Sequence, residues 1–147
     1  MINEEAKLRS IKKVITKEMV LNYANVSGDH NPIHIDENYA KNTDFGGTIV
    51  HGMFLISSIS EMLINNVGEN WAKSGKLKIK FRNPLRVGEE IITEGKISKI
   101  AKENNGTLIT CEVMCSDKDK KLLISGTAQW RNNEDSYWWH GRRYSWK

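Results

Sequence analysis

An acidic and a basic side chain stand five residues apart, on either side of a proline. Asp29 and His34 enclose Asn31-Pro32 in the stretch DHNPIH. Proline fixes its own φ and pushes the preceding residue toward an extended conformation. The sequence therefore predicts an irregular loop through Asp29–His34, and not a helix. A loop can fold back so that a carboxylate and an imidazole face one reacting centre, which is the arrangement that general acid–base catalysis requires.

A predicted helix start follows and offers a backbone hydrogen-bond donor. His51-Gly52-Met53 opens an apolar run with helical spacing. The first N–H groups of a helix have no partner within the helix, and glycine lets a ligand approach them closely. Gly52 is therefore a candidate donor to a developing oxyanion. For His51, we expect a structural hydrogen bond at the helix start in preference to chemistry.

The elements around these residues follow from the spacing of apolar side chains. The pattern predicts a strand over Ser10–Ile15, a helix capped by Thr16 that ends near Gly28, a helical turn over Asp36–Lys41, a long helix over Val50–Val67, and strands over Lys76–Arg82, Glu89–Ile100, Thr107–Ser116 and Leu122–Arg131. The long helix is apolar around most of its circumference, so we expect it to be buried on several sides. A long helix followed by antiparallel strands that wrap it predicts an α+β fold.

Length and composition are typical of one globular domain. The chain has 147 residues, a net charge of +4, 39% apolar residues and 27% charged residues. No apolar run approaches the roughly 18 residues that indicate a membrane span. The charged N-terminus has no apolar h-region, so we expect no secretory signal. The sequence therefore predicts a cytoplasmic protein. The mild positive charge does not by itself indicate nucleic acid binding.

The two cysteines, Cys111 and Cys115, fall in one predicted strand. Four strand residues span about 13 Å, beyond the ~7 Å that a disulfide bridges between Cα atoms. Two cysteines at this spacing also do not match a zinc site. We expect both thiols to be reduced, and we expect no metal.

The stretch YANVSGDHNPIHIDENYA, followed by FGGTIVHGM and an apolar helix, resembles the MaoC-like hydratase/dehydratase family. These are (R)-specific enoyl-CoA hydratases of the hotdog fold. Their motif, Asp-x-Asn-Pro-[Ile/Leu]-His, is matched here from Asp29 to His34 without a gap, and the likeness extends from about Thr16 to Trp130. The resemblance implies a hotdog domain over residues 1–131, with an antiparallel sheet wrapped around a long central helix, and a C-terminal tail over 132–147.

The resemblance also implies a role for individual residues. Asp29 and His34 would be the catalytic acid–base pair, and the N–H of Gly52 would bind the thioester carbonyl. Asn31 would hold the loop in shape. Ser60 would support the site, although its hydroxyl could equally bond to a carbonyl one turn back. Without the rest of the motif, Asp29 alone would be a turn residue.

The activity that the resemblance implies is reversible hydration of trans-2-enoyl thioesters carried by coenzyme A or acyl carrier protein. It needs no metal or redox cofactor, and the sequence contains no nucleotide-binding motif. We expect a homodimer that binds neither nucleic acid nor membrane. Two alternatives remain: a hotdog acyl thioesterase, and a non-catalytic subunit that binds acyl thioesters. The complete motif favours hydration over both.

Two further features have alternative interpretations. The basic row in one strand, Lys76, Lys78, Lys80 and Arg82, is best explained as the solvated face of an edge strand. The alternative is a cationic rim for coenzyme A phosphates or an acidic carrier. The tail contains three of the five tryptophans and two of the four tyrosines, so we expect it to pack on the domain or its dimer mate. A partner-docking segment is the second interpretation, and nothing else supports nucleic acid stacking.

The tail generates a prediction about substrate entry. His140, Arg142 and Arg143 lie among its aromatic residues, where they would place positive charge near the phosphates of a thioester. Deleting 136–147 should raise KM, or narrow the accepted carriers, more than it lowers kcat on a small acyl-CoA. Steady-state kinetics with coenzyme A and carrier-protein substrates measures this. Unchanged constants with reduced thermal stability would leave the tail a purely structural role.

Overall fold

Five strands and five helices follow one another in a computed structural model, which describes residues 3–104 and 106–132. In chain order they are β1 (Ile11–Val14), α1 (Lys17–Ser27), α2 (Pro32–Ile35), α3 (Glu37–Ala40), α4 (Gly52–Val67), α5 (Glu69–Ser74), β2 (Lys76–Phe81), β3 (Glu90–Glu103), β4 (Gly106–Asp117) and β5 (Leu122–Asn132). All five predicted strands are present, and so are the predicted α1, α3 and α4.

The strands form one antiparallel sheet in the order β1-β3-β4-β5-β2. β2 lies at one edge, where it pairs with β5 alone. Its lysines are exposed, whereas Leu77 and Ile79 are half-buried. This alternation confirms the interpretation of the basic row as the solvated face of an edge strand, and the helices packed on the sheet confirm the α+β prediction.

Helix α4 packs against the sheet through one side. It contacts β3 and β4 and buries Leu55, Ser58, Ile59, Met62 and Leu63. Met53 and Ile64 remain 60% and 44% exposed. The prediction that the helix is buried on several sides is therefore wrong for the described part of this chain, because the five strands cover only one side of it.

Helix α1 determines where the chain enters the candidate site. The hydroxyl of Thr16 accepts a hydrogen bond from the N–H of Met19 at 3.2 Å, which caps the helix as predicted. At the other end, Gly28 has φ 77°, and its N–H donates to the carbonyl of Ala24 at 2.9 Å. Glycine adopts this left-handed conformation readily. The cap turns the chain out of the helix immediately before Asp29.

The prediction of an irregular loop through Asp29–His34 is wrong for its second half, because His34 lies in helix α2. Pro32 occupies the first turn, where its missing N–H costs nothing and its fixed φ suits a helix. Asn31 keeps the extended conformation predicted for a residue before proline, with ψ 125°, and caps the helix. The proline therefore starts a helical turn where we expected it to prevent one.

Helix α5 was not predicted. Gly68, with φ 60°, separates it from α4. Glu69 and Lys73 form an i,i+4 ion pair on its exposed side, and Trp71 is buried. The pair and the following Gly75 are ordinary signals of a short helix, but six residues are too few to show a period.

The remaining predictions concern the two cysteines, the absence of a membrane span and the C-terminal tail. Cys111 and Cys115 are free and buried in β4, and burial raises the pKa of the Cys111 thiol to about 11. No helix in the described ranges is long and apolar enough to cross a membrane. The predicted tail lies outside the described residues beyond Asn132, so its packing and the domain boundary at 131 stay predictions.

Candidate active site

The carboxylate of Asp29 is presented by a short turn between α1 and α2. The N–H of Asp29 donates to the hydroxyl of Ser27 at 3.2 Å. One carboxylate oxygen, Oδ1, accepts from the N–H of Asn31 at 3.2 Å. The side chain is 52% exposed. The second oxygen, Oδ2, is therefore the one available to a substrate.

The imidazole of His34 is held in one orientation by a backbone carbonyl. The side chain of Asn31 accepts from the N–H of Ile33 at 3.1 Å and caps α2. Nδ1 of His34 lies 2.8 Å from the carbonyl oxygen of Ile49. A carbonyl only accepts, so Nδ1 carries the proton, and Nε2 of the neutral ring has a free lone pair. Nε2 lies 3.9 Å from Oδ2 of Asp29, too far for a hydrogen bond and close enough for both atoms to face one reacting centre.

The segment that carries the Ile49 carbonyl is fixed from three directions. Ile49 N–H donates to the carbonyl of Ile33 at 3.2 Å, and Val50 N–H donates to that of Leu85 at 2.9 Å. Thr48 donates to the Glu37 carboxylate from its N–H at 3.1 Å and from its hydroxyl at 3.0 Å. These two bonds lower the pKa of Glu37. Sequence reasoning missed Glu37, because its partner lies outside the motif.

Gly52 opens α4, as predicted. Its N–H belongs to the first turn, which has no partner within the helix, and no other group in the described chain binds it. The ring of Phe81 lies 2.8 Å from the position that a Cβ on Gly52 would occupy. Any larger residue would therefore displace Phe81 at this helix start. Phe81 was not predicted at the site, since β2 is distant in sequence.

His51 makes the structural hydrogen bond that we expected, to a partner that the sequence did not indicate. Its Nε2 lies 2.9 Å from the backbone carbonyl oxygen of Asp29. Its ring stacks on that of His34, with centroids 3.9 Å apart. Because His51 directly precedes Gly52, this stacking places the start of α4 beside the Asp29–His34 pair.

A carboxylate oxygen of Asp29 and one imidazole nitrogen each of His34 and His51 lie within 4.8 Å of one another. One nitrogen of each imidazole is already bonded to a backbone carbonyl, an arrangement that suits proton transfer.

Ser60 accepts a hydrogen bond from the indole N–H of Trp71 at 2.9 Å. It lies eight residues beyond Gly52, about 12 Å along the helix, and its supporting role stays a prediction.

A sheet packed on one long helix, with an Asp–His pair at the start of that helix, is the hotdog arrangement that the sequence predicted. The solved structure of an (R)-hydratase from A. caviae superposes with a TM-score of 0.75 at 26% identity, over 87% of this chain and 95% of that one. The fold therefore places this protein in the class of hotdog-fold hydratases. The family model described as MaoC like domain matches residues 2–117, and the chain belongs to this family.

Two curated relatives agree with this assignment. A 3-hydroxybutyryl-CoA dehydratase of Methylorubrum extorquens is 30% identical over 113 residues, which are 77% of this chain and 71% of the relative. An (R)-specific enoyl-CoA hydratase of Rhodospirillum rubrum is 28% identical over 125 residues, 85% of either chain. The relatives are named for the two directions of one reaction, elimination and addition of water.

The environment of His51 generates a prediction about stability and pH. Burial is the main cause that lowers the pKa of His51 below its usual 6.5, and His34 and His30 contribute to the lowering. Asp29 opposes it, and Tyr23 packs on the ring. As the pH falls, His51 takes up a proton near pH 6.5 in the unfolded chain but only at a lower pH in the folded chain. The neutral His51 therefore contributes to the free energy of unfolding in full above pH 6.5. This contribution is lost as the pH falls through the lowered pKa of the folded state.

The measurement is urea unfolding of the wild type and His51→Gln between pH 7.5 and 5. The variant should lose less stability than the wild type as the pH falls, because it has no imidazole to protonate. His30→Gln changes an exposed histidine next to Asp29 and is the control; its curve should stay close to that of the wild type, because His30 makes the smallest contribution to the lowered pKa of His51. Parallel curves for wild type and His51→Gln would show that His51 does not contribute.

Proposed function

We propose that this protein reversibly hydrates trans-2-enoyl thioesters to (R)-3-hydroxyacyl thioesters, carried by coenzyme A or acyl carrier protein. The observation that carries the proposal is the pair formed by Nε2 of His34 and Oδ2 of Asp29, 3.9 Å apart. Both atoms have free lone pairs, and both lie beside the first turn of α4.

The reaction needs one proton removed from water and one proton delivered to carbon. As the water oxygen bonds to C3 of the enoyl group, the Asp29–His34 pair takes a proton from the water. The C2=C3 electrons move toward the thioester and form an enolate. The pair then gives a proton to C2, so the enzyme returns to its starting charge. Groups of this kind typically contribute about 10²–10⁴-fold to the rate.

The enolate places negative charge on the thioester oxygen. The free N–H of Gly52 is our candidate donor to that oxygen, and a fixed backbone donor of this kind contributes about 3–4 kcal/mol. The partial positive charge at the start of the 16-residue helix α4 acts in the same direction. No other group of the described chain competes for this N–H.

The catalytic pair generates the first test of the proposal. Asp29→Asn and His34→Ala should each lower kcat by about 10²–10⁴-fold while the protein stays folded, because each removes one member of the acid–base pair. Loss of the conjugated-thioester absorbance of crotonyl-CoA measures the rate directly. His30→Ala, on the same turn, is the matched control and should retain activity.

Near-wild-type hydration by either variant would contradict the assignment. Release of free coenzyme A from a saturated acyl-CoA would indicate a thioesterase instead. Tight thioester binding without turnover by the wild type would indicate the non-catalytic subunit.

We also infer a cytoplasmic homodimer whose two sheets join edge to edge through β2. One edge of β2 has no strand partner in the described chain, and Met53 and Phe81 are 60% and 52% exposed near it. A second copy would cover them. The described chain contains no disulfide, which is compatible with a reducing compartment.

Light scattering at micromolar concentration tests the assembly and should give twice the mass of the chain. Lysines on an edge strand are also a common means of preventing strand pairing. If the lysines of β2 act in that way, the measurement will give the mass of one chain, and the proposal of a homodimer will be wrong.

A further inference from the structure

His51 is a fully buried imidazole whose side-chain hydrogen bond and closest ring contact are both with the candidate catalytic pair. It is 1% exposed. Nε2 bonds to the backbone carbonyl of Asp29 at 2.9 Å, and one face of the ring stacks on His34 at 3.9 Å. Tyr23 packs against the ring at 4.9 Å. It thus contacts both members of the pair from within the protein, and burial separates it from any substrate.

The hydrogen-bond pattern defines the protonation state that this arrangement needs. The Asp29 carbonyl only accepts, so Nε2 of His51 must carry a proton. Nδ1 is buried and has no partner in the described chain. A second proton there would be a buried donor without an acceptor, which is costly. The arrangement therefore requires a neutral imidazole that donates from Nε2.

The two contacts fix different parts of the site. The bond to Asp29 holds the backbone of a turn whose carboxylate is otherwise half-exposed. The stacking limits the tilt of the His34 ring, whose in-plane position is already held by Ile49. Displacement of a catalytic group by about 1 Å can cost about 10²-fold in rate.

The geometry points to His51 as a positioning residue that sets the separation of the Asp29 carboxylate and the His34 imidazole through a neutral Nε2–H donor. It takes no proton from substrate or water and contributes no binding energy to the thioester. The inference rests on the proposed hydration, and it adds the residue outside the Asp-x-Asn-Pro-Ile-His motif on which the acid–base pair depends.

Two amide substitutions separate the donor from the rest of the side chain. The Nε2 of glutamine is as many bonds from Cα as the Nε2 of histidine, so His51→Gln can still donate to the Asp29 carbonyl. The nitrogen of His51→Asn is one bond shorter and reaches only the position of Nδ1. Both variants bury one amide, so each is the matched control of the other.

Kinetics with crotonyl-CoA provides the first measurement. His51→Asn should lower kcat by about 10–100-fold with KM nearly unchanged, because the pair is misplaced while the thioester contacts remain. His51→Gln should restore most of kcat. Wild-type kcat in both variants would overturn the inference. Equal loss in both, with the protein folded, would also overturn it, because the loss would then follow the imidazole ring and not the Nε2–H donor.

Backbone amide exchange provides a measurement that does not depend on substrate. The N–H groups of Asp29 and Asn31 should exchange faster in His51→Asn than in wild type, and at the wild-type rate in His51→Gln. An inactive wild type would refute the proposed hydration, and the exchange rates would still decide the role of His51. If His51→Asn does not fold, His51→Gln decides alone: wild-type exchange supports the donor role, and faster exchange overturns it.

Discussion

The hydrogen bond from His34 to the carbonyl of Ile49 is the contact on which the candidate site depends. It joins residues 15 positions apart at 2.8 Å. The carbonyl determines which nitrogen of the imidazole carries the proton, and it leaves Nε2 free toward Asp29. Without it the imidazole is free to change tautomer, and the nitrogen that lies 3.9 Å from the carboxylate is no longer fixed as the one with the free lone pair.

That carbonyl is available because the fold fixes the strand-like segment before α4. Val50 bonds to Leu85 on the chain that leads into β3, and Ile49 bonds to Ile33 within α2. The connection between β2 and β3 therefore positions the segment, the segment positions His34, and the same segment continues into the start of α4 at Gly52. His34 and the candidate backbone donor therefore share one support, while Asp29 lies on the turn between α1 and α2.

Periodicity predicted most of the elements, since α4 and the strands are long enough for their spacing to show in the sequence. Asp29, His34 and Gly52 became candidates because their types and spacing form a motif, and their roles stay predictions. Two short helices were not predicted: α2 begins at a proline that we interpreted as a helix breaker, and α5 has only six residues. The bond between His51 and Asp29 spans 22 positions and arises only when α4 docks beside the turn. We overestimated how much of the α4 surface this chain buries. An apolar pattern shows that a surface needs burial, but it does not show which chain buries it.

The most direct test of this account is incubation of the wild-type protein with crotonyl-CoA while the absorbance of the conjugated thioester and the release of free thiol are followed together. The account predicts loss of the conjugated absorbance without thiol release, and a product that is (R)-3-hydroxybutyryl-CoA by chiral analysis. Folded protein that leaves the absorbance unchanged across enoyl chain lengths and with both carriers, or that forms the (S) product, would contradict it.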